Sequence, residues 1–313
     1  MKKQLSLLIL ISMFSLVRPL VASEAGSSHY VPGTMASFID TPTGIPFNVL
    51  NLTNGYFGDA SVSRQFPIAG LLTADLSADY VANAFAFQYD APVEVLHGKY
   101  AFTISLPVVD LQVNASVAGP SGGTVARRDS RSGLGDLYFS PIILYWQKGN
   151  FKYLGSVGIY APSGAFDVGR LANIGKNYWT FSPIAAMQYS NPKNGLEATV
   201  FTGFNFNTKN NATNYQSGQE FYLDFTVDKR FKNGFGVGAT GNIFQQITGD
   251  SGSGAKLGGF KGRTFGMGPE VSYMGPLSKT IMFAMELKWL PEIEVQNRTQ
   301  GSNIWFKFGF VFN

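Results

Sequence analysis

The feature that most constrains this chain is an alternation of apolar and polar side chains, which recurs from residue 100 to residue 313. In residues 217–231 the large apolar side chains share one parity: Phe221, Leu223, Phe225, Val227 and Phe231. Most charged side chains share the other parity: Glu220, Asp224, Asp228 and Arg230. Successive side chains of a β-strand point to opposite faces, so the segment predicts a strand with one apolar and one charged face.

The connections between such segments alternate between short and long. Short polar turns fall at 97–99, 148–150, 191–194, 232–234 and 276–279, and longer, mostly Gly-, Ser- or Asn-rich connections lie between them. A soluble sandwich would also alternate along its strands, but its loops would not sort by length. Apolar side chains facing lipid, polar side chains inside and short turns at one rim are typical of an outer-membrane β-barrel.

The turns allow the strands to be counted. Ten strands are predicted from the first turn onward: 100–112, 134–147, 151–161, 177–190, 195–206, 217–231, 235–247, 263–275, 280–290 and 303–313. One more lies within 71–96, a stretch long enough to overhang the bilayer or to bend at a bulge. If the barrel sequence both begins and ends at the short-turn rim, the number of strands is even. Eleven strands then require a twelfth, which is predicted near 45–60. We therefore predict a closed, antiparallel, all-β barrel of about twelve strands over 45–313.

The first 23 residues are typical of a cleaved export signal. Lys2 and Lys3 precede an apolar stretch over 5–17, and cleavage after Ala22 or Ser23 fits the small-residue rule. Elsewhere the chain has no run of about 18 apolar residues, so a helical membrane protein is excluded.

The segment between the signal and the predicted barrel, residues 24–44, is rich in Gly, Pro and Ser. A barrel of twelve strands has a small bore. We expect this segment to fold into the lumen as a partial plug.

Composition argues against a nucleic-acid partner. Without Lys2, Lys3 and Arg18 of the signal, 21 of the 24 basic residues remain against 20 acidic ones, a net charge of +1. Such a chain has no electrostatic footprint for a polyanion. Charged residues make up only 14%, well under the roughly 25% of soluble domains, and Phe alone occurs 27 times, as expected of a lipid-facing chain. The chain has no Cys, and a hydrogen-bonded barrel needs no disulfides.

A hydrolase interpretation also fails. Residues 249–252 (GDSG) resemble the nucleophile segment of a serine protease, but the chain has only two histidines. His97 lies in a short turn, at the opposite rim from Ser251, so it could not serve as the base. No His or Cys cluster suggests a metal site. We expect no enzyme activity, no cofactor and no metal.

Aromatic side chains on the predicted lipid parity gather near strand ends, where a membrane-interface girdle belongs. They are Tyr145, Tyr153, Trp179, Tyr189, Tyr273 and Trp289.

The opposite parity supplies the candidate pore-lining residues. They are Asp136, Tyr138, Tyr160, Tyr178, Glu197, Phe201, Glu220, Tyr222, Asp224, Glu270, Glu286, Lys288, Trp305 and Lys307. The long connections add Arg170, Asp250, Lys261 and Arg263 as loop candidates. Two interpretations stay open: the charges pair across a packed interior, or they mark a polar track through a pore. Aromatics mixed with sparse charges suit an aromatic-type solute better than a sugar or an ion.

Nine short segments, spread in a fixed order over residues 25–275, together carry a family resemblance. They are 26–33 (GSSHYVPG), 133–137 (GLGDL), 161–164 (APSG), Arg170, 173–175 (NIG), 177–179 (NYW), 211–218 (NATNYQSG), 248–250 (TGD) and 261–263 (KGR). In this combination the chain resembles the outer-membrane proteins of the MetA-pathway of phenol degradation family. The resemblance implies a transporter-like, porin-like channel for passive uptake of small hydrophobic or aromatic compounds, which could supply an aromatic-degradation pathway.

The alternative is a non-transporting structural or surface-interaction barrel that acts through its long extracellular loops. A lumen filled by paired side chains would favour that alternative, whereas a continuous gap beside the aromatics would favour transport. In either case we expect the outer membrane of a Gram-negative bacterium. The expected partners are membrane lipid, lipopolysaccharide, the barrel-insertion machinery and, for a channel, the solute.

Overall fold

A computed structural model of the chain describes residues 24–60, 65–118, 123–259 and 261–312. The predicted export signal therefore lies outside the described residues. Fourteen strands form within them: β1 Phe47–Asp59, β2 Phe66–Ile68, β3 Leu71–Val95, β4 Gly98–Ala118, β5 Thr124–Leu134, β6 Leu137–Lys148, β7 Phe151–Ala161, β8 Thr180–Asn191, β9 Leu196–Asn207, β10 Glu220–Arg230, β11 Phe235–Gln246, β12 Arg263–Pro276, β13 Ile281–Gln296 and β14 Gln300–Phe312. Two short 3₁₀ helices, Glu24–Gly26 and Phe38–Asp40, precede them. No described helix has the length and apolar character needed to cross a membrane.

Twelve of the strands close into a barrel: β1, β3, β4 and β6–β14. Each pairs antiparallel with its neighbours, and β1 completes the ring by pairing with both β14 and β3. In a closed barrel the backbone N–H and C=O groups of every strand are paired with a neighbouring strand, which a sheet in lipid requires. The predicted closed antiparallel barrel of twelve strands is confirmed.

The predicted loop over 114–133 is wrong. β4 continues to Ala118, and its upper half pairs with the additional strand β5, with Asp110 opposite Ser132. Its lower half pairs with β6, which begins only at Leu137. Outward side chains of β4 change from apolar to polar beyond Val108, so the β4–β5 hairpin rises above the lipid band. The segment carries no outward apolar parity, which is why the alternation did not reveal it.

Two further boundaries differ from the prediction. β3 is 25 residues long and both overhangs and bends, with register shifts between Ala74 and Ser77 and between Ala91 and Glu94. The predicted connection over 291–302 is mostly strand, because β13 extends to Gln296 and β14 begins at Gln300.

Tyr145 does not belong to the outer aromatic girdle. A register shift between Phe139 and Ile142 in β6 reverses the parity of the strand. Tyr145 is therefore buried in the interior, where its hydroxyl donates a hydrogen bond of 3.1 Å to Asp90. Trp289 and Tyr153, which belong to strands without such a shift at those positions, are exposed on the outer surface.

The interior of the barrel has two unlike sides. The inner side chains of β10–β14 are mainly polar or charged and almost fully buried, as for Asp224, Glu270 and Lys307. The inner side chains of β1, β3 and β4 are mostly small or apolar, such as Leu52 and Ala84. We call these sides the polar half and the apolar half.

Candidate functional site

Residues 24–44, which we call the inner segment, contact the polar half through Asp224 of β10. The Asp224 carboxylate accepts hydrogen bonds from the Tyr30 hydroxyl, from the backbone N–H of Gly33 at 3.1 Å and from that of Met35 at 2.9 Å. Ser28 donates to Glu220 on the same strand. Because hydrogen bonds to an ionised acceptor are the stronger kind, the buried carboxylate fixes the middle of the inner segment.

A second contact joins the inner segment to the connection that precedes β6. His29 Nε2 lies 2.9 Å from Asp136 Oδ2, and His29 Nδ1 lies 2.7 Å from the Thr180 hydroxyl. Burial lowers the pKa of His29, and Asp136 opposes this shift. Burial raises the pKa of Asp136, but hydrogen bonds from His29 and from the N–H groups of Gly164 and Lys176 outweigh it and lower that pKa.

Two lysines of the polar half bind the inner segment at residues 35 and 40. Lys307 Nζ lies 2.9 Å from Asp40, and Lys288 Nζ donates to the Met35 carbonyl at 3.0 Å. Lys288 also pairs with Glu286 at 3.0 Å. On this side of the barrel most charges pair with one another or with the inner segment, as in a packed interior.

Between the inner segment and the apolar half lies a cavity of about 450 Å³. Its wall is formed mainly by apolar side chains, among them Leu50, Leu52, Val109, Leu111, Ile143 and Leu154. The inner segment faces this wall with Val31, Pro32 and Met35. The volume and the apolar lining are those of a small-molecule site.

The cavity exists because β3 presents small side chains to the lumen. Ala78, Ala82, Ala84 and Ala86 occupy inner positions of the strand and line the cavity. Ala84 lies opposite Leu52 of β1 and Pro107 of β4. Sequence reasoning missed these residues, although alanine at four of the five alternate positions over 78–86 was the signal that could have found them.

The predicted pore-lining residues fall into two groups, those that line the cavity and those that do not. Six of them line the cavity: Asp136, Tyr138, Tyr160, Tyr178, Phe201 and Trp305. Eight do not: Glu197, Glu220, Tyr222, Asp224, Glu270, Glu286, Lys288 and Lys307. These eight face the interior but are almost fully buried, because the inner segment and neighbouring side chains cover them.

The four loop candidates lie outside the cavity lining. Arg170 pairs with Asp129 at 3.1 Å, and Arg263 pairs with Glu294. Lys261 donates to a backbone carbonyl at 2.8 Å. Asp250 is buried and accepts hydrogen bonds from Tyr215 and Gln246 and from the backbone of Gly218, so it holds two long connections together.

The described residues contain no group of three or more His, Asp or Glu side chains arranged to hold a metal ion.

A family model described as "Putative MetA-pathway of phenol degradation" matches residues 57–308. Among solved structures, the chain is similar to the COG4313 outer membrane channel from Pseudomonas putida F1, with 13% identity and a TM-score of 0.61 over 91% of this chain and 100% of that one. It also matches the transport unit of the autotransporter AIDA-I from Escherichia coli, with 9% identity and a TM-score of 0.46 over 92% and 95% of the two chains. A FadL homologue of Pseudomonas aeruginosa matches with 7% identity and a TM-score of 0.42 over 95% and 98%. At these identities the likenesses concern the fold alone. No curated protein sequence matches the chain.

Proposed function

The chain belongs to the MetA-pathway of phenol degradation family, and from this premise we propose that it is a passive channel for small hydrophobic or aromatic compounds. Its barrel is that of an outer-membrane channel-like protein of Gram-negative bacteria. In the proposed role, solutes cross the outer membrane through the apolar half, beside the inner segment, and can supply an aromatic-degradation pathway.

The observation that carries this proposal is the extent of the cavity along the barrel. At the long-loop rim its lining includes Phe166 and Leu171, from the connection between β7 and β8. Near the short-turn rim its lining includes Gln88, which pairs with Asn48 at the start of β1. A mostly apolar cavity of this extent, next to a packed polar half, favours apolar solutes over ions or sugars.

Aromatic side chains border the path. Tyr138, Tyr160 and Tyr178 line the cavity together with Phe201 and Trp305. Ring faces and edges of this kind bind another aromatic ring in offset or edge-to-face contact, worth about 0.5–1.5 kcal/mol per pair beyond buried area. Several weak contacts of this size suit a passive channel, because the solute must also leave.

The alternative of a non-transporting barrel is supported only by the polar half, where paired charges fill the space around the inner segment. In the apolar half an open cavity lies between the inner segment and the wall. The combination favours transport, with the polar half as the anchor of the inner segment.

The proposal can be tested by uptake of a labelled aromatic compound at limiting concentration in cells that lack the chromosomal gene. An intact outer membrane is required, because small aromatics cross simple phospholipid bilayers unaided. We expect the wild-type chain to restore uptake and Ala84→Phe, which fills the cavity, to abolish the gain. Ala185→Phe is the matched control, because Ala185 is exposed on the outside of β8. Equal uptake by both variants would refute a route through the cavity.

A further inference from the structure

Arg298, in the connection between β13 and β14, lines the cavity and has the Glu292 carboxylate as an electrostatic neighbour, but it makes no hydrogen-bonded ion pair with any described residue. Its guanidinium carbon lies 4.4 Å from the ring centroid of Phe244, so the group is packed over an aromatic face. Its Nε and Nη1 atoms are buried and have no hydrogen-bond partner. None of the salt bridges among the described residues involves it. Buried charged donors without acceptors are costly, which points to a ligand that supplies the acceptors.

Each acidic side chain that lines the same cavity already has a hydrogen-bond donor other than Arg298, and Asp40 pairs with Lys307. Glu292 accepts from the Tyr56 hydroxyl at 3.1 Å and from the Gly301 N–H at 2.8 Å. Glu24 accepts from the Asn210 side-chain amide at 3.1 Å, and burial raises the pKa of its carboxyl. Asp136 is held by His29 and by two backbone N–H groups.

A second cation lines the same part of the cavity. Lys176 Nζ donates to Ser27 of the inner segment. Burial lowers the pKa of Lys176 to about 8; Asp136 and Glu24 oppose the shift, and Arg298 adds to it by like-charge repulsion. Two cations that repel each other, on the wall of an otherwise mostly apolar cavity, would both be stabilised by an anion between them.

We propose that Arg298 and Lys176 form an anion subsite at the long-loop end of the cavity, and that the channel's preferred solutes are small aromatic monocarboxylates. The solute assignment rests on the proposed function, whereas the subsite is a binding property of the folded barrel. An aromatic monocarboxylate places one charged end against the two cations and its ring against apolar side chains of the cavity wall. An inorganic anion would satisfy the cations but leave the apolar wall without a partner.

The subsite can be tested on the folded barrel in detergent, by equilibrium dialysis with radiolabelled benzoate. We expect Arg298→Gln to weaken benzoate binding about tenfold, the effect of losing hydrogen bonds to a charged group. Arg298→Lys should retain part of the affinity. Arg263→Gln is the control, because Arg263 is paired with Glu294 and lies outside the cavity lining. Heat-modifiable migration on gels verifies that each variant is folded.

Wild-type affinity in Arg298→Gln, or no binding of benzoate to the wild-type barrel, would overturn the subsite. Cellular uptake of benzyl alcohol, a neutral compound of similar size, separates this result from the proposed function. If benzyl alcohol enters through the chain while benzoate binding is independent of Arg298, the channel stands and the subsite fails. If benzoate binds through Arg298 and neither compound is taken up, the subsite stands and the channel fails.

Discussion

Tyr30 of the inner segment donates a hydrogen bond to Asp224 of β10, which lies 194 residues further along the chain. The Tyr30 ring also stacks on Tyr222 with ring centroids 4.1 Å apart. Because Asp224 also holds Gly33 and Met35, one carboxylate determines where the middle of the inner segment sits and hence how wide the cavity is.

Replacing this carboxylate should release the inner segment without opening the barrel. Asp224→Ala leaves three donors unpaired, each at a cost of about 1–3 kcal/mol. We expect faster proteinase K cleavage within residues 24–44 and unchanged heat-modifiable migration. Tyr30→Phe removes one donor and should have a smaller effect. The control is Asp110→Ala, on the exposed outer surface of β4. Cleavage of Asp224→Ala at the wild-type rate would mean that other contacts suffice to hold the segment.

The lipid-facing parity of β10 can be tested by the depth dependence of a buried charge. Phe225→Lys places an ammonium within the strand and should destabilise the inserted barrel by about 2–4 kcal/mol, whereas Phe231→Lys, just beyond the strand, should cost about 0–1 kcal/mol. The two substitutions are chemically identical and differ in depth. Urea unfolding from liposomes measures both, and equal costs would contradict the assigned orientation.

Benzoate binding should depend on pH through Lys176. Burial lowers the pKa of Lys176 to about 8, so its charge is present below that pH and is lost as the pH rises through it. Benzoate stays ionised over this range. Affinity should therefore be constant from about pH 6 to 7 and fall about three- to tenfold above pH 8. Lys176→Arg should abolish this fall; if the fall persists, another group titrates.

The barrel could be predicted from the sequence because lipid imposes one apolar parity on each crossing strand. Phe221, Leu223 and Phe225 must face outward whatever the interior contains, so alternation alone is informative. Where that constraint is absent or interrupted, the prediction fails. The β4–β5 hairpin lies above the lipid band, and the bulge between Phe139 and Ile142 reverses the parity of Tyr145.

The candidate site was less predictable, because it depends on where the inner segment lies. Asp224 and Tyr138 both occupy inner positions of their strands. Asp224 holds the inner segment whereas Tyr138 lines the cavity, and only the position of the inner segment shows this difference. Alanines such as Ala84 carry no chemical signature and define the site by leaving space. Arg298 lies in a connection between strands, where no parity indicates its direction.

Occupation of the cavity by the solute is the most direct test of the account. The chain has no cysteine, so each single-cysteine variant carries only the introduced thiol. Ala84→Cys places one thiol in the cavity, and Ala185→Cys places one on the outer surface. Both are treated with the small uncharged reagent methyl methanethiosulfonate, with and without an aromatic solute. We predict that the solute slows modification at position 84 and leaves the rate at position 185 unchanged. Equal rates at position 84 with and without a solute that the cells take up would show that the solute does not pass through the cavity.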